Sequence, residues 1–297
     1  MTIVVGYPTN RRAKAVLSLA GMIARSTGED IVVCTTIRDP RIPGIAPDHP
    51  EVRSYVDELA DKALELARED MPTDIRAHYV RVNAESVARG LIGAAGEYQA
   101  SMIVVGSATG RVEQVTIGSI ADRVLHSAPV PVAVATRGFR ANYGKVTRVN
   151  LAFKGGTLGP VHVAAAEELA GRLGAQLRLV SFAVHLSPPA AMRVPFEGPS
   201  VFESWHKAIH HDVTAAIDAD AATAHRKPEF VIGEGRDWQD ALDSVTWDDG
   251  DLLVVGSSDA GPVARVFVGS HASKIIRHSP VPVIAIPRAS AAELAAD

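Results

Sequence analysis

The sequence predicts an α/β protein made of two Rossmann-like domains in tandem, each a five-stranded parallel sheet with helices on both faces. Short runs of Val, Ile and Leu alternate with longer segments of helical periodicity, as in doubly wound α/β proteins. The stretch that opens with Ile103-Val-Val-Gly106 returns about 150 residues later as Leu253-Val-Val-Gly256. Both copies continue into a Gly-Ser pair and then Pro-Val-Pro-Val, so the pattern is an internal repeat.

In the first half, apolar runs predict strands and amphipathic spacing predicts helices. Helix 10–27, for example, places Val16, Ala20 and Ile23 on one face. A Pro-rich loop at 40–50 separates the second strand from the next helix. The predicted strands are 2–6, 31–36, 75–82, 101–106 and 130–135, and the predicted helices are 10–27, 51–69, 85–97 and 117–126.

The second half repeats this order after a Gly- and Arg-containing linker near 136–145. We expect domain 1 at residues 1–140 and domain 2 at residues 146–290, with a frayed tail at 289–297. A Pro-containing stretch at 186–199 interrupts the second copy. The predicted strands are 147–153, 176–182, 229–232, 251–256 and 281–286, and the predicted helices are 158–173, 202–224, 237–245 and 269–278.

Composition fits two ordinary globular domains in 297 residues, with 47% hydrophobic and 22% charged residues. The net charge of −4 argues against nucleic acid as the main partner. With no leader and no apolar run of membrane-spanning length, we expect a cytoplasmic protein without a membrane partner. The single Cys34 lies in a predicted strand, and we interpret it as a buried small residue, not a nucleophile.

These motifs, in the same order twice, resemble the universal stress protein family in its tandem two-domain form. The resemblance covers nearly the whole chain, from Ile3-Val-Val-Gly6 to Pro280-Val-Pro-Val283. It implies an adenine nucleotide alpha hydrolase-like fold with strand order 3-2-1-4-5. It also implies that two units pair through their last strands, here within one chain as a pseudo-dimer, which leaves room for a homodimer.

The resemblance further implies a nucleotide-binding loop. Many members bind ATP through the pattern Gly-x2-Gly-x9-Gly-Ser/Thr, and this chain departs from it in both halves. The first copy is one residue short, with Thr109 at the second glycine position, and the second copy has Asp259 there. A carboxylate at that position would repel phosphate. The loop residues carried over are Gly106, Gly110, Gly118 and Ser119 in the first half, and Gly256, Gly261, Gly269 and Ser270 in the second.

The adenosine end of the implied site also departs from the family pattern. The acidic residue expected after the first strand is replaced by Pro8 in one half and by Lys154 in the other. Neither side chain accepts a hydrogen bond from an adenine amine or a ribose hydroxyl. The resemblance places Thr36 and Phe182 near the base, at the ends of the second strands.

Other candidate residues have structural interpretations. Glu203, His206 and His210 share one face of a predicted helix, with His211 beside them, but no fourth ligand is evident and we expect no metal. We interpret Trp205, Trp238 and Trp247 as packing residues, not as stacking platforms.

The sequence therefore favours a stress-response protein that acts by binding ATP or another adenine nucleotide at a partly degenerate site. One alternative is an interaction module that binds no ATP and acts on an unknown protein partner. A second is an enzyme, either a weak ATPase or a hydrolase, although no general base is evident beside the loop. A third is a binder of a different anionic metabolite, which Lys154 favours.

Overall fold

The structure, a computed structural model, describes residues 1–10, 12–37, 50–107, 118–141, 144–184, 201–256 and 270–286. The elements of the first half are β1 (Thr2–Gly6), α1 (Lys14–Thr27), β2 (Asp30–Ile37), α2 (Pro50–Asp70), β3 (Ala77–Asn83), α3 (Val87–Glu97), β4 (Ala100–Gly106), α4 (Ser119–Leu125) and β5 (Val132–Ala135). Those of the second half are β6 (Arg148–Ala152), α5 (Gly159–Leu173), β7 (Gln176–Val184), α6 (Val201–Asp218), α7 (Ala221–Arg226), β8 (Glu229–Gly235), α8 (Trp238–Asp243), β9 (Asp251–Gly256), α9 (Ser270–His278) and β10 (Val283–Ile286).

All ten described strands form one continuous sheet of order β3-β2-β1-β4-β5-β10-β9-β6-β7-β8. Strands within each half are parallel and follow the order 3-2-1-4-5, which confirms the predicted fold class. The halves meet where β5 and β10 pair antiparallel, with Ile284 opposite Ala133. The expected pairing of the two units through their last strands is therefore present within this single chain.

The strands are buried because helices cover both faces of the sheet, as near-continuous apolar runs require. Ile103 and Val104 of β4 are fully buried, as are Leu252 and Leu253 of β9. Most of the cost of ordering the sheet is offset by this burial of apolar surface.

The repeat extends to the ends of the helices. Helix α1 ends at Gly28 and α5 ends at Gly174, and both glycines adopt the left-handed conformation, with φ of 74° and 63°. A residue with a Cβ is strained at such a helix end. Positions counted from Gly28 in the first half can therefore be matched with positions counted from Gly174 in the second half.

Two predicted helices differ most from the structure. Helix α1 begins at Lys14, later than the predicted start at residue 10. The single helix predicted at 202–224 is two helices, α6 and α7. The side chain of Asp220 breaks it by accepting a hydrogen bond from the backbone N–H of Thr223 at 2.7 Å, which begins a new helix.

The two halves also contact each other beside the sheet. Helices α1 and α5 pack together, and the Ser26 hydroxyl accepts a hydrogen bond from the Val146 backbone N–H at 2.9 Å. Arg172 and Glu29 form an ion pair of 3.2 Å across the same contact. Among the helices that the structure describes, none is long and apolar enough to cross a membrane.

Candidate ligand-binding pockets

The first-half pocket is a cavity of about 240 Å³ at the carboxyl ends of β1, β2 and β4. Ligands of open α/β sheets bind at this edge, where the strand order reverses. The predicted residues Pro8, Thr36 and Gly106 all lie in its lining. The other lining residues used below are Gly6, Val87, Leu91 and Ile120.

Thr36 is the one predicted residue of this pocket with an unused polar atom. Its Oγ1 is buried and has no hydrogen-bond partner among the described residues. Gly90 of α3 makes the space for it, since a Cβ there would lie 2.7 Å from Cγ2 of Thr36. A buried hydroxyl without a partner is costly, so a polar group of a ligand would relieve that cost.

Cys34 lies on the floor of the same pocket but is chemically inert. Burial, and then the nearby negative charge of Glu97, raise the pKa of its thiol to about 12. The thiolate is the nucleophilic form of cysteine, so this residue is protonated at neutral pH.

A second cavity of about 360 Å³, here called the basic pocket, adjoins the first-half pocket and shares Gly106 with it. Its lining includes four cationic side chains: Arg12, Lys14, Arg137 and Arg140. The first two are neutralised in part, because Arg12 and Lys14 both pair with Asp70, at 3.0 and 3.1 Å. Sequence reasoning had not placed Arg137 and Arg140 at a site; their position directly after β5 was the available signal.

The Gly-Ser pair lies at the start of α4. Gly118 is its N-cap residue in an extended conformation, with no side-chain cap, and Ser119 is its first residue. Ile120 follows and reaches the first-half pocket. The predicted loop residue Gly110 lies outside the described residues.

The second-half pocket has the matching position in the other copy, at the carboxyl ends of β6 and β7, and a volume of about 430 Å³. The predicted residues Lys154 and Phe182 line it. Gly256 instead packs against α5, where an added Cβ would lie 2.5 Å from Nε2 of His162. Ser270 is the exposed first residue of α9, and Gly261 and Gly269 lie outside the described residues.

Matched positions of the two pockets carry different chemistry. Two of the pairs below are matched by their distance in sequence from Gly28 and Gly174. The other two are matched by their distance from the first residues of α3 and α8, or of α4 and α9. The pairs are Pro8 with Lys154, Thr36 with Phe182, Val87 with Trp238, and Ile120 with His271.

Aromatic rings and cations therefore surround the second-half pocket. The rings of Trp238 and His271 are 5.5 Å apart at 47°, and Nζ of Lys274 lies 5.7 Å from the centroid of the Trp238 ring. Trp205 of α6 also lines the cavity. Both tryptophans pack against the hydrophobic core, as the sequence-based interpretation expected, and both also line the cavity wall.

The loop that carries Lys154 is held by α6. Gly155 has a φ of 75°, and the next residue, Gly156, donates its backbone N–H to Oδ2 of Asp212 at 3.2 Å. A Cβ on Gly155 would collide with that carboxylate. Glycine is required here by both conformation and space.

The histidines of α6 make other contacts. Nε2 of His206 lies 3.0 Å from a carboxylate oxygen of Glu234, and the His210 ring packs edge-on against Phe230. In the part of the chain that the structure describes, no group of three or more His, Cys, Asp or Glu could hold a metal ion. Trp247 packs in the core and donates its indole N–H to the Leu242 carbonyl at 2.8 Å.

Two Rossmann-like units with a pocket at each carboxyl edge, paired through their last strands, define a class of tandem α/β proteins. A model of the universal stress protein family matches residues 1–136 and again 146–287. A universal stress protein of Mycobacterium tuberculosis is 35% identical over 97% of this chain and 100% of its own. The chain therefore belongs to the universal stress protein family.

Solved structures support the fold. A universal stress protein from Archaeoglobus fulgidus is 18% identical, with a TM-score of 0.60 over 96% of this chain and 98% of its own. A shorter one from the same organism, solved in complex with dAMP, is 22% identical and covers 46% of this chain and 97% of its own, with a TM-score of 0.33.

Proposed function

We propose that the first half binds an adenine nucleotide, and that the protein acts in a stress response through this binding and not through turnover. The observation that carries the proposal is the adjacency of two cavities of different character around Gly106. One is largely apolar and includes the buried hydroxyl of Thr36, which has no partner in the described part of the chain, and the other is lined by cationic side chains. A nucleotide has the same division, with a flat base at one end and phosphates at the other.

The base would occupy the first-half pocket, between the apolar side chains of Leu91 and Ile120. Its polar edge would meet Oγ1 of Thr36, which has no hydrogen-bond partner within the described residues. Pro8 lines the pocket, but its side chain accepts no hydrogen bond, so it cannot replace the acidic residue that other family members have at this position. We therefore expect weaker binding than an acidic residue at this position would give.

The phosphates would lie in the basic pocket. Arg137 and Arg140 are both exposed at its rim and supply charge-assisted hydrogen bonds to phosphate oxygens. Gly106 lines both cavities and so lies between the proposed base and phosphate positions. Gly118 and Ser119 complete the proposed site at the start of α4.

Mass spectrometry of the gently purified, denatured protein tests the proposal, followed by calorimetric titration with ADP and ATP. We expect co-purified or titrated nucleotide that is lost in a Gly118→Val variant. Lys207→Met on the exposed face of α6 is the control and should bind as the unmodified chain does. No nucleotide and no heat at millimolar concentration would refute the proposal and favour the interaction module.

A further inference from the structure

The second-half pocket has aromatic side chains at matched positions where the first-half pocket, whose described lining has the ring of Tyr7, has none. Trp205, Trp238 and Phe182 contribute rings to its lining, whereas the matched positions of the last two in the first half are Val87 and Thr36. Tryptophan and phenylalanine faces stack on flat rings and gain more than their buried area alone would give. Its volume of about 430 Å³ is that of a small-molecule site.

The charged residues among the described lining of this pocket have one sign. Lys154 and Lys274 line it, and none of the described lining residues is a carboxylate. Lys274 lies at the rim over the Trp238 ring, so that a group stacked beside this ring meets an ammonium. These lysines beside an aromatic ring favour a ligand that has a negative charge at the edge of a flat ring.

The side chains of the pocket offer few acceptors for adenine. Lysine and tryptophan offer only donors and phenylalanine offers neither, so among the described lining side chains only a ring nitrogen of His271 can accept a hydrogen bond from an exocyclic amine. Thr36, the hydroxyl that serves in the first half, is replaced by Phe182. A ligand without an amine to satisfy, held by stacking and by one charge, fits this lining better.

We propose that the second-half pocket binds a planar aromatic acid, namely a flat ring system that bears one carboxylate. The ring stacks against Trp238 and Phe182, and the carboxylate meets Lys274 and Lys154. This site is separate from the nucleotide site proposed for the first half and does not rest on it.

Calorimetric titration of the full-length chain with 2-naphthoate tests this proposal, and 2-naphthylmethanol serves as the uncharged probe of the same shape. We expect naphthoate to bind about fivefold more tightly than the alcohol at low ionic strength, because one partly exposed ion pair contributes about 1 kcal/mol. The difference should shrink as salt is added.

Three variants locate the site. Trp238→Val installs the residue of the matched first-half position and should weaken naphthoate binding by about tenfold through the loss of one stacking face. Lys274→Met should weaken naphthoate but leave the alcohol unchanged. Lys207→Met, a lysine outside the pocket, should change neither, and thermal unfolding establishes that each variant is folded.

The proposal is overturned by any of three results. The first is no heat with naphthoate at millimolar concentration. The second is equal affinity for naphthoate and the alcohol. The third is naphthoate binding that survives Trp238→Val in a folded protein, which would place the ligand elsewhere.

Discussion

The two pockets occupy the same place in two copies of one fold but differ at nearly every side chain that faces the cavity. The first-half pocket has Thr36 and Val87 at two of these positions and is largely apolar, and its cations lie in the adjoining basic pocket. Phe182 and Trp238 make the second aromatic and leave its lysines in the same cavity. The repeat preserves the backbone frame, so we expect the ligand that each half prefers to be decided by a few residues at strand ends and helix starts.

The opposite edge of the sheet differs between the halves as well. In the second half, the fully buried Asp251 receives hydrogen bonds from Arg148 at 2.8 and 2.9 Å. Arg178, whose side chain is 4% exposed, lies 3.6 Å from Asp251 and bonds the amide oxygen of Asn150. The first half has the apolar Val32 and Val4 at the matched positions of Arg178 and Asn150.

The largest effect should come from breaking this ion network. Replacing Asp251 with Asn removes the negative charge that Arg148 and Arg178 share. Because a buried ion pair that loses one partner leaves an uncompensated charge, we expect the free energy of unfolding to fall by about 3–5 kcal/mol. Chemical denaturation measures the change. The matched first-half substitution Ser101→Ala, which removes a hydrogen bond to Glu29, should cost only about 1 kcal/mol. Equal losses of stability in the two variants would mean that the ion network does not make the second half depend more strongly on this position than the first half does.

A smaller loss should follow Gly233→Val, which installs the first-half residue at the matched position of β8. A side chain there would collide with the backbone of α8, and an added Cβ would lie 2.8 Å from Val245 and 3.1 Å from Phe182. We expect destabilisation of about 1–3 kcal/mol from overpacking, read from the shift in denaturation midpoint.

Gly233→Val should also reduce naphthoate binding, since α8 carries Trp238. In the first half the strand carries a valine at this position, and the helix carries Gly90, which faces Thr36. An unchanged affinity for naphthoate would show that the position of α8 does not affect binding in the second-half pocket.

Thr36→Val separates binding from stability in the first half. The side chains have similar shape, and Oγ1 of Thr36 is buried with no partner within the described residues, so we expect its removal to raise the free energy of unfolding by about 1–3 kcal/mol. ADP affinity should fall about fivefold to tenfold, the value of one hydrogen bond. A large loss of stability with unchanged ADP affinity would make Thr36 a structural residue.

The smallest effect should come from Arg140→Met in the basic pocket. The exposed guanidinium contributes one screened charge to the phosphates, so we expect about a threefold loss of ADP affinity at low salt and less at high salt. Arg277→Met, at the exposed end of α9 near the opposite edge, is the matched control and should leave affinity unchanged. Equal losses in both variants would indicate a general charge effect.

Much of the fold could be predicted because its signals are local and repeated. The apolar strand runs, the glycines after α1 and α5, and Pro-Val-Pro-Val fixed the order of elements, and the family resemblance implied the strand order. The break at Asp220 was missed because the helical spacing continues through it, and only the capping bond to Thr223 reveals the new helix.

The site could be predicted only in part. Pro8, Thr36, Lys154 and Phe182 follow strands, so their place at the carboxyl edge follows from topology. Trp238 and Lys274 come from two helices that are distant in sequence, and no spacing rule brings a ring and an ammonium together. Their shared cavity depends on tertiary packing, which the repeat does not encode.

The central claim is that the two halves bind different ligands at matched positions. The most direct test is a calorimetric titration of ADP into the full-length chain, first alone and then in the presence of saturating 2-naphthoate. We predict one ADP site whose dissociation constant is the same in both titrations. Displacement of naphthoate by ADP, or two equal ADP sites that naphthoate blocks, would contradict the account.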